Sequence, residues 1–347
     1  MKRLLSITLC IIFIVSSFAG CSSNEATTPK VRIAGIINSP TAFLSNMLEK
    51  SEGDNQYQPT IVNLPSRVKQ LLADGECDIA VVPVDTACNL FNKPNPEIKV
   101  IAGISVGGFE LISSKKITSL EELKGATIHL TQRDTLMANL FEYLLKRYKL
   151  VLNKDYKFSY ANDFIQLKDS FNEKEAEFAL LPSAEAALLR TEISGLTSYN
   201  ITEELAKKFK KPSIITYCVI GTSTFIEKNP KVIDTLLKDV KASIIKTKQA
   251  SGTTVQLAKK HNILTDDNYN EDFLFELKPS FISGSSMRKK LNAYFKFIDK
   301  FKPTLVNKII NNKDFYYISK NDSKSTSKSN SASSSTTPSS VAAKTQK

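Results

Sequence analysis

Two stretches decide how this chain folds: GECDIAVVPVDTA, from Gly75 to Ala87, and KEAEFALLPSAEA, from Lys174 to Ala186, about a hundred residues further on. Each passes from a polar, acid-containing lead into four or five apolar residues, a proline, and a small polar or acidic run. A short apolar run closed by proline reads as a strand covered on both faces, with the chain turning out at its carboxyl end. Neither stretch carries a catalytic signature.

Working outward from the first, VRIAGII (Val31 to Ile37) reads as a buried strand. Ser39 and Pro40 then supply a helix cap and a first-turn proline before Phe43, Leu44, Met47 and Leu48, which share one helical face. A strand near Thr60 to Leu64, a helix with Val68, Leu71 and Leu72 on its apolar face, and the strand Asp78 to Val82 complete a β-α-β-α-β unit. The same order surrounds the second stretch: strand Ala126 to Leu130, a helix whose apolar face runs from Leu136 to Tyr148, strand Tyr156 to Tyr160, a helix near Ile165 to Phe171, and strand Glu177 to Leu181. The steps from Ile33 to Ile61 to Ile79 are 28 and 18 residues, and those from Ile128 to Lys157 to Phe178 are 29 and 21. One supersecondary plan is used twice.

The fold class that follows is α/β, with two Rossmann-like lobes joined by two crossing strands. The first crossing falls near Val106 to Ser113 and the return near Ile214 to Thr222, so lobe 1 is discontinuous (31–108 and 218–319) and lobe 2 covers 109–217. Lobes joined by two strands commonly close on a ligand. Gly107 and Gly108, in the first crossing, suit either a hinge or a β-bulge. Between the units, SLEELKG presents Ser119 and Glu122 at capping-box spacing, with Gly125 after the helix.

The two ends differ from this body. MKRLL is a short basic head, Leu4 to Ala19 is almost uninterrupted in its apolarity, and the run is shorter than the roughly 20 residues a membrane span needs. Residues 1–20 are therefore read as a secretory signal. Ala19-Gly20-Cys21 resembles the lipobox of bacterial lipoproteins, which implies acylation of Cys21 as the new N-terminus and a lipid-anchored protein on the extracytoplasmic face of the cell membrane. Residues 21–30 are a polar tether, and 320–347 a disordered Ser/Thr/Lys tail. The net charge of +12 is dispersed, without a basic stripe or a nucleic-acid motif. Cys77, Cys88 and Cys218 have no metal-ligand spacing; they read as small buried thiols, with a Cys77–Cys88 bridge left open.

In open α/β sheets, ligands lie beyond the carboxyl ends of the strands. Applied to both lobes, this selects Asn38, Ser39 and Thr41; Val84, Asp85 and Thr86; Thr131, Gln132, Arg133 and Thr135; and Ser183 with Glu185. Ser39, Thr41, Thr131 and Thr135 can donate hydroxyls to a solute or cap helices. Arg133 can clamp a carboxylate or sulfonate, beside an Asp134 well placed to cap the next helix. Asp85 can hold an amine or cap the helix that follows it. Tyr217 and Phe109 are the aromatics nearest the crossings and can stack on a planar solute or serve the core. His129 and His261 are the only histidines; neither lies in a metal-ligand spacing or beside a nucleophile motif, and no cofactor is implied.

Three stretches carry a family resemblance. LLADGECDIAVVPVDTA, SLEELKGATIHL and FIEKNPKVIDTLLKDVKASIIKTKQ (Phe225 to Gln249) are similar to the type II solute-binding proteins of bacterial ABC importers, in the branch that binds nitrate, sulfonates, taurine and thiamine-pyrimidine precursors. The resemblance covers roughly Val31 to Lys302. It implies the type II periplasmic-binding-protein fold, and a monomer that captures a small polar organic solute without chemistry and docks on a permease driven by a separate ATPase. TQRDT (Thr131 to Thr135) departs from the small or Gly-Ser turn of many members. Two rival functions fit the same features: a surface interaction lipoprotein, for which the tail gives a motive, and an anchored enzyme such as a lyase using Asp85 and Glu185.

Overall fold

The computed structural model describes residues 29–53, 56–95, 97–209 and 214–319. The signal segment, Cys21, most of the tether and the tail lie outside the described residues.

In the first half of the chain, β1 (Val31–Ile36) pairs in parallel with β2 (Tyr57–Val62) on one side and β3 (Ile79–Pro83) on the other. β4 (Ile98–Val106), in the same sheet, and β5 (Phe109–Ser113), in the other, follow. In the second half, β6 (Thr127–Leu130) pairs in parallel with β7 (Lys157–Tyr160) and β8 (Phe178–Pro182). The registers of the two triads agree, Ile33 standing opposite Ile79 and Ile128 opposite Phe178. The quoted stretches are thus β3 and β8, closed by Pro83 and Pro182. The four residues before each proline are buried on both sides of the pleat, which is why the runs are apolar throughout.

An antiparallel strand borders the third member of each triad. β5 lies between β8 and β9 (Thr197–Asn200), while β10 (Ile215–Thr222) lies between β3 and β4, with β11 (Pro279–Ser283) outside β4. The sheets run β11-β4-β10-β3-β1-β2 and β7-β6-β8-β5-β9. The return strand enters the first sheet with Ile215 opposite Val106 at the end of β4. An aromatic faces each closing proline, Tyr217 opposite Pro83 and Phe109 opposite Pro182. Gly107 and Gly108 link β4 to β5 with φ of 66° and 123°, a backbone that L residues avoid, so they form a joint between sheets rather than a bulge within one.

The polar leads turn helix into strand. The helix Pro65–Ala73 is followed by Gly75 with φ 68°, and the helix Phe164–Asn172 by Lys174 with φ 62°. The N–H of Glu76 donates to the Leu71 carbonyl at 2.8 Å, and that of Glu175 to the Ser170 carbonyl at 2.9 Å, so both helices end in the same left-handed turn. Asp78 has a partner in β1: its Oδ2 accepts from Arg32 N and Nε at 3.0 Å, and its Oδ1 from Arg32 Nη2 at 2.6 Å. The paired charge accounts for an acid at the edge of a buried strand. Ser119 and Glu122 form the expected capping box, on the short 3₁₀ turn Leu120–Leu123.

Two apolar cores, one on each face of the six-stranded sheet, both continue into the second lobe, and a third is confined to that lobe. On one side the helix Ser183–Glu192 packs against the helix Glu271–Glu276, with Ala184, Leu188, Phe273 and Leu277 in one cluster. On the other, Tyr143 of the helix Leu136–Leu145 stacks on Phe209 at 5.0 Å and on Phe301 at 4.9 Å. Cys77, Cys88 and Cys218 are free and buried. Burial pushes the Cys77 thiol up to about 12 and holds those of Cys88 and Cys218 well above the ordinary range. Among the described residues no helix is long and apolar enough to cross a membrane.

Candidate functional site

The carboxyl ends of β3 and β8 open onto one cavity of about 390 Å³, walled by both lobes. That volume suits a small organic molecule. Pro83, Val84, Asp85 and Thr86 reach it from the first stretch, and Pro182, Ser183, Ala184 and Glu185 from the second. Behind them stand Tyr217 and Phe109, each placed by its pairing with a proline. The loop Thr131 to Thr135 closes the second lobe's side, and Asn38 and Ser39 the first.

Most of the residues selected from the sequence meet here, several with backbone duties as well. Ser39 is 3% exposed; its Oγ donates to the Ile36 carbonyl at 2.7 Å and accepts from Thr41 N at 3.2 Å. Thr41 is buried one step behind the wall residues Ser39 and Pro40, its Oγ1 accepting from Ile36 N at 3.1 Å. Of the two capping candidates, Thr135 and Asp134, it is Thr135 that caps the helix Leu136–Leu145, accepting from Ala138 N at 3.1 Å. Asp134 has φ 53°, and that turn leaves capping to its neighbour. Asp85 sits in the first turn of the helix Val84–Phe91; its Oδ1 accepts from Thr86 N at 2.7 Å, and no side chain caps that helix. Arg133 lies exposed on the wall, its guanidinium over the Tyr160 ring at 4.1 Å. Gln132, Thr131 and Ser183 also line the cavity, and Ser183 N donates to the Gly108 carbonyl at 3.0 Å.

The structure adds wall residues that the sequence reading left out. Glu276, Leu277 and Tyr294 come from the C-terminal helices, Ser105 and Thr216 from the crossing strands, and Lys69 and Asn89 from the flanks of β3. Only the strand-end rule could have pointed to any of them, and it does not reach segments folded back from the end of the chain.

Acids outnumber bases on the wall, Asp85, Asp134, Glu185 and Glu276 against Lys69 and Arg133. Glu276 is paired with Lys278 at 2.8 Å. Glu185 has no such partner: its Oε2 exposes less than 1 Å² and receives no hydrogen bond among the described residues, although the residue as a whole is only partly buried. Burial pushes its carboxyl up to about 7. Burial, and then the charges of Glu185 and Asp85, hold the Tyr217 phenol above its ordinary range. Tyr294 is raised by burial and then by Asp85. The wall holds neither histidine nor cysteine. Among the described residues no group of three or more His, Cys, Asp or Glu side chains could hold a metal ion.

Two α/β lobes, two crossing strands and a cavity at the strand ends between them define the fold of periplasmic binding proteins. Solved structures agree. An ABC transporter from Parabacteroides distasonis is similar with a TM-score of 0.65 and 18% identity, over 83% of this chain and 98% of that one. The periplasmic aliphatic sulphonate binding protein SsuA from Escherichia coli gives 0.60 and 13%, over 82% and 90%. The ligand binding component of an ABC-type import system from Staphylococcus aureus gives 0.58 and 12%, over 78% and 91%. At such identities the likeness is one of fold. No protein-family model and no curated protein matches the chain.

Proposed function

We propose that this protein is a lipid-anchored, extracytoplasmic solute-binding protein. It captures a small polar organic solute between its lobes and delivers it to an ABC permease. The observation that carries this reading is the single cavity at the carboxyl ends of β3 and β8, to which the two lobes contribute equivalent strand-to-helix turns. Ser39, Asp85, Thr86, Thr131, Gln132, Arg133, Thr135, Ser183 and Tyr217 are the ligand contacts. Closure is driven by the solute's higher affinity for the closed state. Thermal shift of the full chain against a broad panel of small solutes tests the capture step: one at about a hundred times its Kd adds roughly 2.7 kcal/mol. A folded protein that no solute stabilises would sink the reading. Fatty-acid labelling that disappears in Cys21→Ser tests the anchor.

A further inference from the structure

Two carboxylates on the cavity wall have a buried oxygen that receives no hydrogen bond among the described residues, Glu185 Oε2 and Glu276 Oε2; Glu276 Oε2 lies 2.8 Å from Lys278 Nζ, whereas Glu185 has no ion-pair partner among them. A buried ionised oxygen with nothing to accept from is costly in any folded protein and calls for a positive or hydrogen-bonding partner. Among the described residues no cation forms an ion pair with Glu185: Lys278 holds Glu276, and Lys69 and Arg133, the cations on the wall, make none with it.

The helix termini point the same way. A helix N-terminus ordinarily favours an anion. Here the helices Val84–Phe91 and Ser183–Glu192 each place an acid of their own in the first turn, Asp85 and Glu185, so the positive ends that face the cavity are already offset by protein charge. The two acids belong to opposite lobes. Both bear on the Tyr217 phenol, which puts an aromatic ring beside them on the wall.

Building on the solute-binding reading, we infer that the solute carries a cationic nitrogen, an ammonium or amidinium group, that pairs with the Glu185 carboxylate with Asp85 and the Tyr217 ring beside it. A positive group there offsets the unpaired charge of Glu185 and draws on charge from both lobes.

The test is calorimetric titration of the full chain with benzamidine, benzylamine and 1,4-diaminobutane, against benzenesulfonate, benzoate and benzyl alcohol as anionic and neutral counterparts. The expected result is binding by at least one cationic probe, tighter by tenfold or more than its counterparts. Glu185→Gln then weakens that probe at least tenfold, with the ligand-free melting midpoint not lowered. Asp85→Asn, on the other lobe, gives a smaller loss by the same assay and serves if the first variant folds poorly. Binding of benzenesulfonate or benzoate with none of the cations overturns the inference and leaves the solute-binding reading standing, as does cation affinity unchanged within twofold in both variants. Silence from all six probes in a folded protein overturns the inference, and the broader solute panel then decides the reading by itself.

Discussion

The carbonyl of Gly108 accepts the backbone N–H of Ser183 at 3.0 Å. The joint between the sheets is thereby fastened to the first turn of the helix that carries Glu185. At φ 123° no L residue is comfortable, and a Cβ on Gly108 would stand 2.9 Å from Ser183 Oγ. Gly108→Ala should cost about 1–3 kcal/mol in a denaturant titration. It should also weaken solute binding beyond what the stability loss explains, because the turn holding Glu185 must shift. An unchanged midpoint would show that the joint tolerates a side chain.

Glu185 makes the empty protein sensitive to pH. In the unfolded chain its carboxyl titrates near 4.5, and in the folded one near 7. A raised carboxyl costs nothing below the lower value, where both states are protonated. The cost grows as pH rises between the two and reaches about 3 kcal/mol above 7. Glu185→Gln should therefore be more stable than the parent at pH 8 and closer to it at pH 5, by urea titration at both. Of the groups facing it, the phenols of Tyr217 and Tyr269 stay neutral across this window, and Asp85 is present in both proteins. Equal gains at the two pH values would rule out the orphaned charge as the cause.

The stack of Tyr143 on Phe301 joins the second lobe's helix Leu136–Leu145 to the C-terminal segment of the first, and its stack on Phe209 lies within the second lobe. Tyr143→Ala should cost about 2 kcal/mol, less than a fully buried aromatic would, since the ring is only partly covered. Small-angle scattering should show a larger radius of gyration as the lobes part. Tyr143→Phe keeps both stacks and should change neither.

Lys174 occupies the left-handed turn that Gly75 occupies in the first copy. Lys174→Gly removes that strain without disturbing a buried group, and should stabilise the protein by about 0.5–1 kcal/mol in thermal or urea unfolding. A loss would mean that the extra backbone freedom of glycine in the unfolded chain outweighs the relief.

The repeated plan was legible because β3 and β8 announce themselves twice over, by buried apolar runs and by prolines that end them. The crossings were legible from two glycines and one β-branched run. Finer placements depended on contacts that no local pattern contains. Thr41 and Ser39 look alike in sequence, and both hydroxyls are engaged by the Ile36 backbone, yet Ser39 lines the cavity and Thr41 does not. Asp134 has the composition of a cap, but its left-handed backbone passes the task to Thr135. Glu276 and Tyr294 reach the cavity only because the last helices fold back across the first lobe. Glu185 was visible as a strand-end acid; its missing partner was not, since that depends on where every nearby cation is spent.

The strand order has a consequence for how the molecule is made. β10 is the inner neighbour of both β3 and β4, yet it follows β4 by more than a hundred residues of chain. During synthesis, the facing edges of β3 and β4 stay unsatisfied until the whole second lobe has emerged. Such edges are templates for pairing with another chain. Rapid collapse of the inserted lobe, whose five strands are contiguous in sequence, shortens the wait by drawing the two edges toward the strand that will close them.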